Sequence, residues 1–340
     1  MPDANERPLS ISRLGKTISL TEINLNQSRL QVYRDCPRKF YWKFVENLDT
    51  DRPAINLEVG SGTHEGLAEL GAGRPLEEAI EAAVARYRRD LPKRRLPGDD
   101  ELYADGEETV RRLLTAYEDH WGREGQKWHP LGNEVAGKVE VGEGTGVFLT
   151  FRSDKFVQWH GGLWIVDHKT AAKMDPREMM KYQMNIQVTA YIYGAMKLLQ
   201  TRIQGVIVDF LVKTKIPQFA REVFERTDEE LNAFEVEFVR WARQIQRDTI
   251  DASEMAGDAE PIAVNLANNL TGLFHIEGRP WLAFPKNDKE CFRFGTCSFR
   301  SLCMDPSNTG LREQFVLRKE DYVDDAALLS AGEIAGHSGL

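Results

Sequence analysis

Two aspartates and a lysine are spaced so that they could share one corner of a β-sheet. Asp154 follows Phe151-Arg152-Ser153, and Asp167 follows Trp164-Ile165-Val166, with His168 and Lys169 next in line. Each aspartate closes a short β-like run, and the Gly161-Gly162 turn between the runs brings both ends to one sheet edge. Two carboxylates meeting there make a hard oxygen site of the kind Mg²⁺ or Mn²⁺ prefers. In a strand, residues i and i+2 project from the same face, so the Lys169 ammonium would lie beside the Asp167 carboxylate. A lysine so placed can orient and help deprotonate a water and stabilise charge on a phosphate, while the metal acts as Lewis acid. Asp-x-Lys alone is common in unrelated proteins, and the competing reading is a surface hairpin with ordinary charges. Glu65 and Glu140 are reserve acidic candidates, each otherwise plain surface charge.

The second constellation is cysteine. Cys291, Cys297 and Cys303 fall in one short segment, and Cys36 stands far away in Asp35-Cys36-Pro37-Arg38-Lys39-Phe40-Tyr41. Zinc ribbons and fingers use cysteine pairs at tight spacing, and no such pair occurs; nor does Cys-x-x-Cys. One remote cysteine plus a group of three suits a cubane iron–sulfur cluster bound by four thiolates. Zinc, or four unrelated buried thiols, are the competing readings. Ligation would tie the start of the chain to its end and offset the entropy of closing so long a loop.

These groups need elements to hold them. The chain has 340 residues, of which 41% are hydrophobic and 29% charged, as in ordinary globular proteins. No run approaches the ~20 apolar residues of a membrane span. With a polar start, the reading is a cytoplasmic protein with no membrane partner. A net charge of −9 is not the footprint of a bulk nucleic-acid binder. Two basic clusters could nonetheless line a DNA groove: Arg34, Arg38, Lys39 and Lys43, and Arg86, Arg88, Arg89, Lys93, Arg94 and Arg95. Phe292, Arg293, Phe294 and Arg300 could grip a single strand by stacking and charge, core packing being the blander role.

Helical periodicity runs through Leu30, Tyr33, Phe40 and Phe44, with an interruption at Pro37, and again over 56–120. From about residue 134 the texture turns to strands at 135–141, 147–156 and 163–167, an antiparallel meander. One helix over 176–199, a strand at 205–213, a hairpin partner at 221–225 and an amphipathic helix over 228–248 follow. The order implies an α/β or α+β core with a helical insertion near the front. Residues 1–20 read as a flexible lead-in and 319–340 as a disordered tail. Between them lies one domain, 21–318: the first cysteine and a helical subdomain over 21–133, the core over 134–250 and a cysteine clasp over 251–318. No Walker-type glycine loop is present, so no ATPase or helicase is encoded here.

The order of motifs resembles the RecB-like branch of the PD-(D/E)XK nucleases. That family runs Gly-x-x-x-His, Asp, Asp/Glu-x-Lys, Gln-x-x-x-Tyr; here stand Gly60-Ser-Gly-Thr-His64, Asp154, Asp167-His168-Lys169 and Gln187-Val-Thr-Ala-Tyr191. The likeness covers about residues 22–304. It implies a restriction-endonuclease-like α/β core with a mixed sheet flanked by helices, a helical subdomain and a four-cysteine clasp. It also implies roles. His64, Asp154, Asp167 and the main-chain carbonyl of His168 would bind Mg²⁺ or Mn²⁺, Lys169 would be the catalytic lysine, and Gln187 and Tyr191 would position Lys169 and the strand. Taken singly, His64, Gln187 and Tyr191 also read as ordinary polar groups on helix faces.

Iron–sulfur members of the family place one cysteine early and three after the core, which implies a structural 4Fe–4S cluster on Cys36, Cys291, Cys297 and Cys303. The implied activity is hydrolysis of DNA by a deoxyribonuclease, by analogy an exonuclease on single strands or DNA ends. The competing readings are a catalytically silent DNA-end-binding module or partner subunit, and a zinc-stapled protein with no nucleic-acid role. A homo-oligomer, or a helicase or recombination partner, is not inferable from one chain. The family often has glycine three residues before the first aspartate; Phe151 stands there and would narrow the space beside a phosphate.

Overall fold

The computed structural model describes residues 10–13, 16–19, 22–52, 54–92, 96–125, 128–255, 278–293 and 295–318. In chain order the elements are β1 (Ser10–Arg13), β2 (Lys16–Ser19), β3 (Ile23–Asn26), α1 (Gln27–Asp35), α2 (Pro37–Phe40) and β4 (Leu48–Thr50). Next come α3 (Ile55–Gly71), α4 (Leu76–Arg89), α5 (Asp99–Gly125), β5 (His129–Glu140), β6 (Val147–Trp159) and β7 (Gly162–Ala171). Then follow α6 (Pro176–Met180), α7 (Ile186–Leu199), β8 (Ile203–Val212), β9 (Gln218–Phe224), α8 (Asp228–Met255), α9 (Arg300–Met304), α10 (Thr309–Arg312) and β10 (Phe315–Leu317). The expected interruption at Pro37 is present: α1 ends at Asp35 and α2 starts at Pro37, where a missing N–H costs nothing. The single helix expected over 176–199 is instead two, α6 and α7, separated by a 3₁₀ turn at Lys181–Met184. Side-chain caps from Asp175 and Asn185 start each piece.

Two compact units emerge, and each is described by itself. The first gathers the described parts of Met1–Asp51, Lys138–Thr150 and Asn232–Tyr322. In it β3 pairs in parallel with Val147–Thr150 of β6, and β10 pairs antiparallel with β4. Its core is aromatic: Tyr33, Phe40 and Phe284 meet at centroid distances of 5.4 to 6.4 Å. Tyr33 donates from its buried hydroxyl to Asp248 at 2.5 Å.

The second unit gathers the described parts of Arg52–Gly137 and Phe151–Leu231. It holds a mixed sheet: β6 and β7 are antiparallel, β7 and β8 parallel, β8 and β9 antiparallel. Helices flank both faces. Leu211 of β8 joins the cluster formed by Val59 and Leu67 of α3, Ala83 and Tyr87 of α4, and Val110, Leu113, Leu114 and Tyr117 of α5. Its neighbour Phe210 meets Tyr182, just ahead of α7. Successive strand residues point to opposite faces, so α3–α5 cover one side and the α6–α7 segment the other. Buried strand runs such as Val206-Ile207-Val208 fit a sheet covered on both faces.

Candidate active site

The corner expected from the sequence forms where β6 and β7 stop pairing. Their ladder begins at Lys155↔Val166, so Asp154 and Asp167 lie just beyond it. From Asp167 to Ala171, β7 continues alongside β8. The main-chain N–H of His168 donates to Asp154 Oδ2 at 2.7 Å. Asp154 Oδ1 is 3.1 Å from Nδ1 of His64, which α3 carries. Lys169 Nζ lies 2.8 Å from Asp167 Oδ2 and 3.0 Å from Oδ1, as i, i+2 alternation requires. On α7, Gln187 and Tyr191 share a face, and Gln187 Nε2 donates to Tyr191 Oη at 2.8 Å.

Electrostatics bind these groups into one set. Burial opposes charge on the Asp154 carboxyl, but His64, His168 and Lys169 outweigh it and hold its pKa far below the usual range. At Asp167 burial wins: helped by the Asp154 charge and opposed by Lys169, it raises the carboxyl. Burial works against the Lys169 ammonium, yet Asp167 and Asp154 raise its pKa. Burial likewise opposes a charged His64, and Asp154 more than compensates. The Tyr191 phenol is pushed up by burial and then by both aspartates, which brings α7 into the same electrostatic set.

Among the described residues, no three His, Cys, Asp or Glu side chains are gathered as a ready metal cage. The donor chemistry nonetheless suits a hard dication. A buried and a half-buried carboxylate repel each other, and the cations beside them leave Asp167 still burdened by its own desolvation.

Phe151, which stands three residues before Asp154, packs into the core of its unit. It is buried, and its ring lies where a Cβ on Gly137 or Gly194 would come within 2.7 or 2.6 Å. Two glycines, one on β5 and one on α7, make room for the ring. Glu140 accepts from the Gly146 N–H at 2.8 Å, closing a turn.

Several residues of this corner went unnoticed in the sequence. Tyr182 feels the charges of both Lys169 and Asp167. Lys155 is buried one residue after Asp154, and burial lowers its pKa. Asp209, Tyr117 and Arg221 form a network against His168. Only Asp209 left a legible sign, as a lone carboxylate in the apolar run Val206–Val212.

The sequence profile of the PD-(D/E)XK nuclease superfamily matches residues 24–304. The chain belongs to this superfamily. Among curated proteins, none matches. One solved structure similar to this PD-(D/E)XK chain is a protein of Eubacterium rectale titled as a candidate exonuclease. It has 14% identity and a TM-score of 0.39, covering 67% of this chain and 81% of that one. Another, named SSO0001, has 13% identity and a TM-score of 0.32, covering 74% and 89%.

The cysteines of this PD-(D/E)XK protein lie in the first unit, all as free thiols. The Asn287 N–H donates to Cys36 Sγ at 3.4 Å, and the Trp42 indole N–H to Cys303 Sγ at 3.4 Å. The Cys297 N–H donates to the Cys291 carbonyl at 2.8 Å. Burial raises the Cys291 and Cys303 thiols, and Cys36 and Cys297 add to the rise at both. The buried Arg38 guanidinium, lowered by burial, is supported by Cys303 and Cys36. Among the described residues, no helix is long and apolar enough to cross a membrane.

Proposed function

We propose that this chain is a Mg²⁺- or Mn²⁺-dependent deoxyribonuclease, an exonuclease on single strands or DNA ends, with a structural 4Fe–4S cluster. The observation that carries the reading is the joining of Asp154, Asp167, Lys169 and His64 in one part-buried corner. Asp154, Asp167, His64 and the His168 carbonyl would hold the ion. Bound there, a divalent ion supplies Lewis acidity toward a phosphate and a more acidic water.

The chain's own groups account for the rest. The His168 N–H keeps one Asp154 oxygen fixed, which orients the other. Lys169, held as a cation by two carboxylates, suits the stabilisation of phosphate charge better than the uptake of a proton. Gln187 and Tyr191 share one face of α7, and the charges of Asp167 and Asp154 reach Tyr191, so in this reading that face positions the strand.

The sulfur contacts support the cluster. Main-chain and indole N–H groups aimed at thiolates are the kind that tune iron–sulfur centres.

The deciding experiment is degradation of end-labelled single- and double-stranded DNA by anaerobically purified protein with Mn²⁺. Cleavage is expected, and Lys169→Ala is expected to slow it by about 10²–10³-fold. The label released first reports polarity. A folded wild-type protein that cuts no substrate, or a Lys169→Ala protein that cuts at the wild-type rate, sinks the reading.

A further inference from the structure

Behind the corner, on the α3–α5 side of β7, lies a second set of buried polar groups that the proposed chemistry does not use. Strand register puts His168 of β7 beside Asp209 of β8, and Asp209 beside Arg221 of β9. The three form a row across the sheet. Asp209 is 0% exposed, inside the otherwise apolar run Val206–Val212 of β8. A carboxylate survives in such a place only when paired and hydrogen-bonded. Here it is held from several sides. Oδ2 accepts from Tyr117 Oη at 2.7 Å and lies 3.1 Å from His168 Nδ1, while Oδ1 is 3.2 Å from Arg221 Nε. Arg221 also donates to Tyr117 Oη at 3.0 Å. Its guanidinium carbon sits 3.8 Å from the ring centroid of Trp121 and 4.0 Å from that of Trp128. An arginine between two indole rings has little freedom, so the carboxylate it faces is fixed as well.

The row meets the cleavage corner at His168. That residue lies between Asp167 and Lys169, and its main-chain N–H holds Asp154. His168 is 2% exposed, and its Nε2 is buried without a hydrogen-bond partner among the described residues. The Asp209 contact through Nδ1 is therefore the polar tie that sets the ring. The tie falls where the backbone needs it. From Asp167 onward the β6–β7 ladder has ended, and β8 is the neighbour that continues.

We propose that Asp209 is a positioning residue for the cleavage centre: through the His168 imidazole it fixes Asp167–Lys169 of β7 and the N–H that orients Asp154. Asp209 touches no substrate and acts only through His168. The proposal rests on the nuclease reading. It assigns a role to a residue that belongs to none of the four motifs.

The test is Mn²⁺ binding by titration calorimetry on the full chain, with thermal melting beside it and Asp167→Asn as the control that locates the ion. Asp209→Ala is expected to weaken Mn²⁺ binding by about 10–100-fold, the usual effect of losing an outer support of a metal site. Asp209→Asn is expected to restore most of that loss, because an amide oxygen still accepts the imidazole proton. A folded Asp209→Ala with wild-type binding overturns the proposal. So does an Asp209→Asn that loses as much as Asp209→Ala. Should Asp209→Ala fail to fold, Tyr117→Phe decides, since it removes one donor from the same oxygen. Several-fold weaker binding supports the proposal, and unchanged binding overturns it. A wild-type protein that binds no Mn²⁺ brings down the nuclease reading and this inference together. Normal wild-type binding with unaffected variants overturns this inference alone.

Discussion

Asp154 and Asp167 sit side by side and are pushed in opposite directions, and the difference lies in their partners. Asp154 accepts a main-chain N–H and faces His64, so charge is favoured there despite burial. Asp167 has Lys169 but also the Asp154 charge against it, and its proton is held above the usual range. A carboxyl raised on folding binds more protons in the folded state than in the unfolded one. Its contribution to stability therefore falls as pH rises from about 4, the ordinary carboxylate value, through the raised value. The melting temperature of metal-free wild-type protein, relative to Asp167→Asn, is expected to decline across that window. Added Mn²⁺ should reverse the decline. A difference that stays flat with pH would show that Asp167 titrates as an ordinary aspartate. The depressed Asp154 acts in the opposite sense and at lower pH, so the two windows separate.

Among elements, α3 must bring His64 to Asp154 while packing against α4 and α5, and two glycines make that approach possible. A Cβ on Gly62 would come within 2.8 Å of the Ala83 carbonyl, and one on Gly66 within 2.4 Å of Leu114 Cδ1. Gly62 and Gly66 lie on either side of His64 in the same helix, so widening the contact would also move the imidazole. Gly66→Ala is expected to destabilise the protein by about 1–3 kcal/mol, the usual cost of overpacking, as read by urea denaturation. Unchanged stability would mean that Leu114 shifts freely and that the close approach is not required. The α6–α7 segment shows the limit of periodicity. Met180, Ile186 and Tyr191 fit one helix on spacing alone, yet the chain breaks at Lys181–Met184. Asn185 turns extended there and caps α7 with its side chain, and the Arg226 guanidinium braces the break by donating to the carbonyls of Tyr182 and Asn185. An arginine 41 residues downstream of Asn185 leaves no local mark on the break.

At the scale of the whole molecule, the cysteines lie where segments far apart in the chain come together. Asn287 and Cys36, joined by an N–H···S contact, are 251 residues apart in the chain. Ligation of the four thiols would remove much of the entropy of bringing such distant segments together. Anaerobically purified protein is expected to absorb in the visible and to contain iron and labile sulfide. Cys36→Ser should bleach it and lower its melting temperature. A colourless protein carrying zinc, or a Cys36→Ser protein that keeps its colour, would refute the cluster.

The sequence by itself determined the family and the composition of the corner. Strand alternation, a glycine turn and helical spacing are local rules, and they suffice to join Asp167 to Lys169 and Gln187 to Tyr191. Motif order carried the superfamily, whose profile matches residues 24–304. Only the tertiary structure decided what stands behind that corner. Tyr117, His168, Asp209 and Arg221 share no spacing, and they meet because β7, β8 and β9 are paired in one register under α5. The fate of Phe151 was hidden for the same reason: whether a bulky ring crowds a substrate or fills a core depends on Gly137 and Gly194, which approach it from elsewhere in the chain. Pairing between distant strands follows from the packing of whole faces, and no short window of sequence contains it.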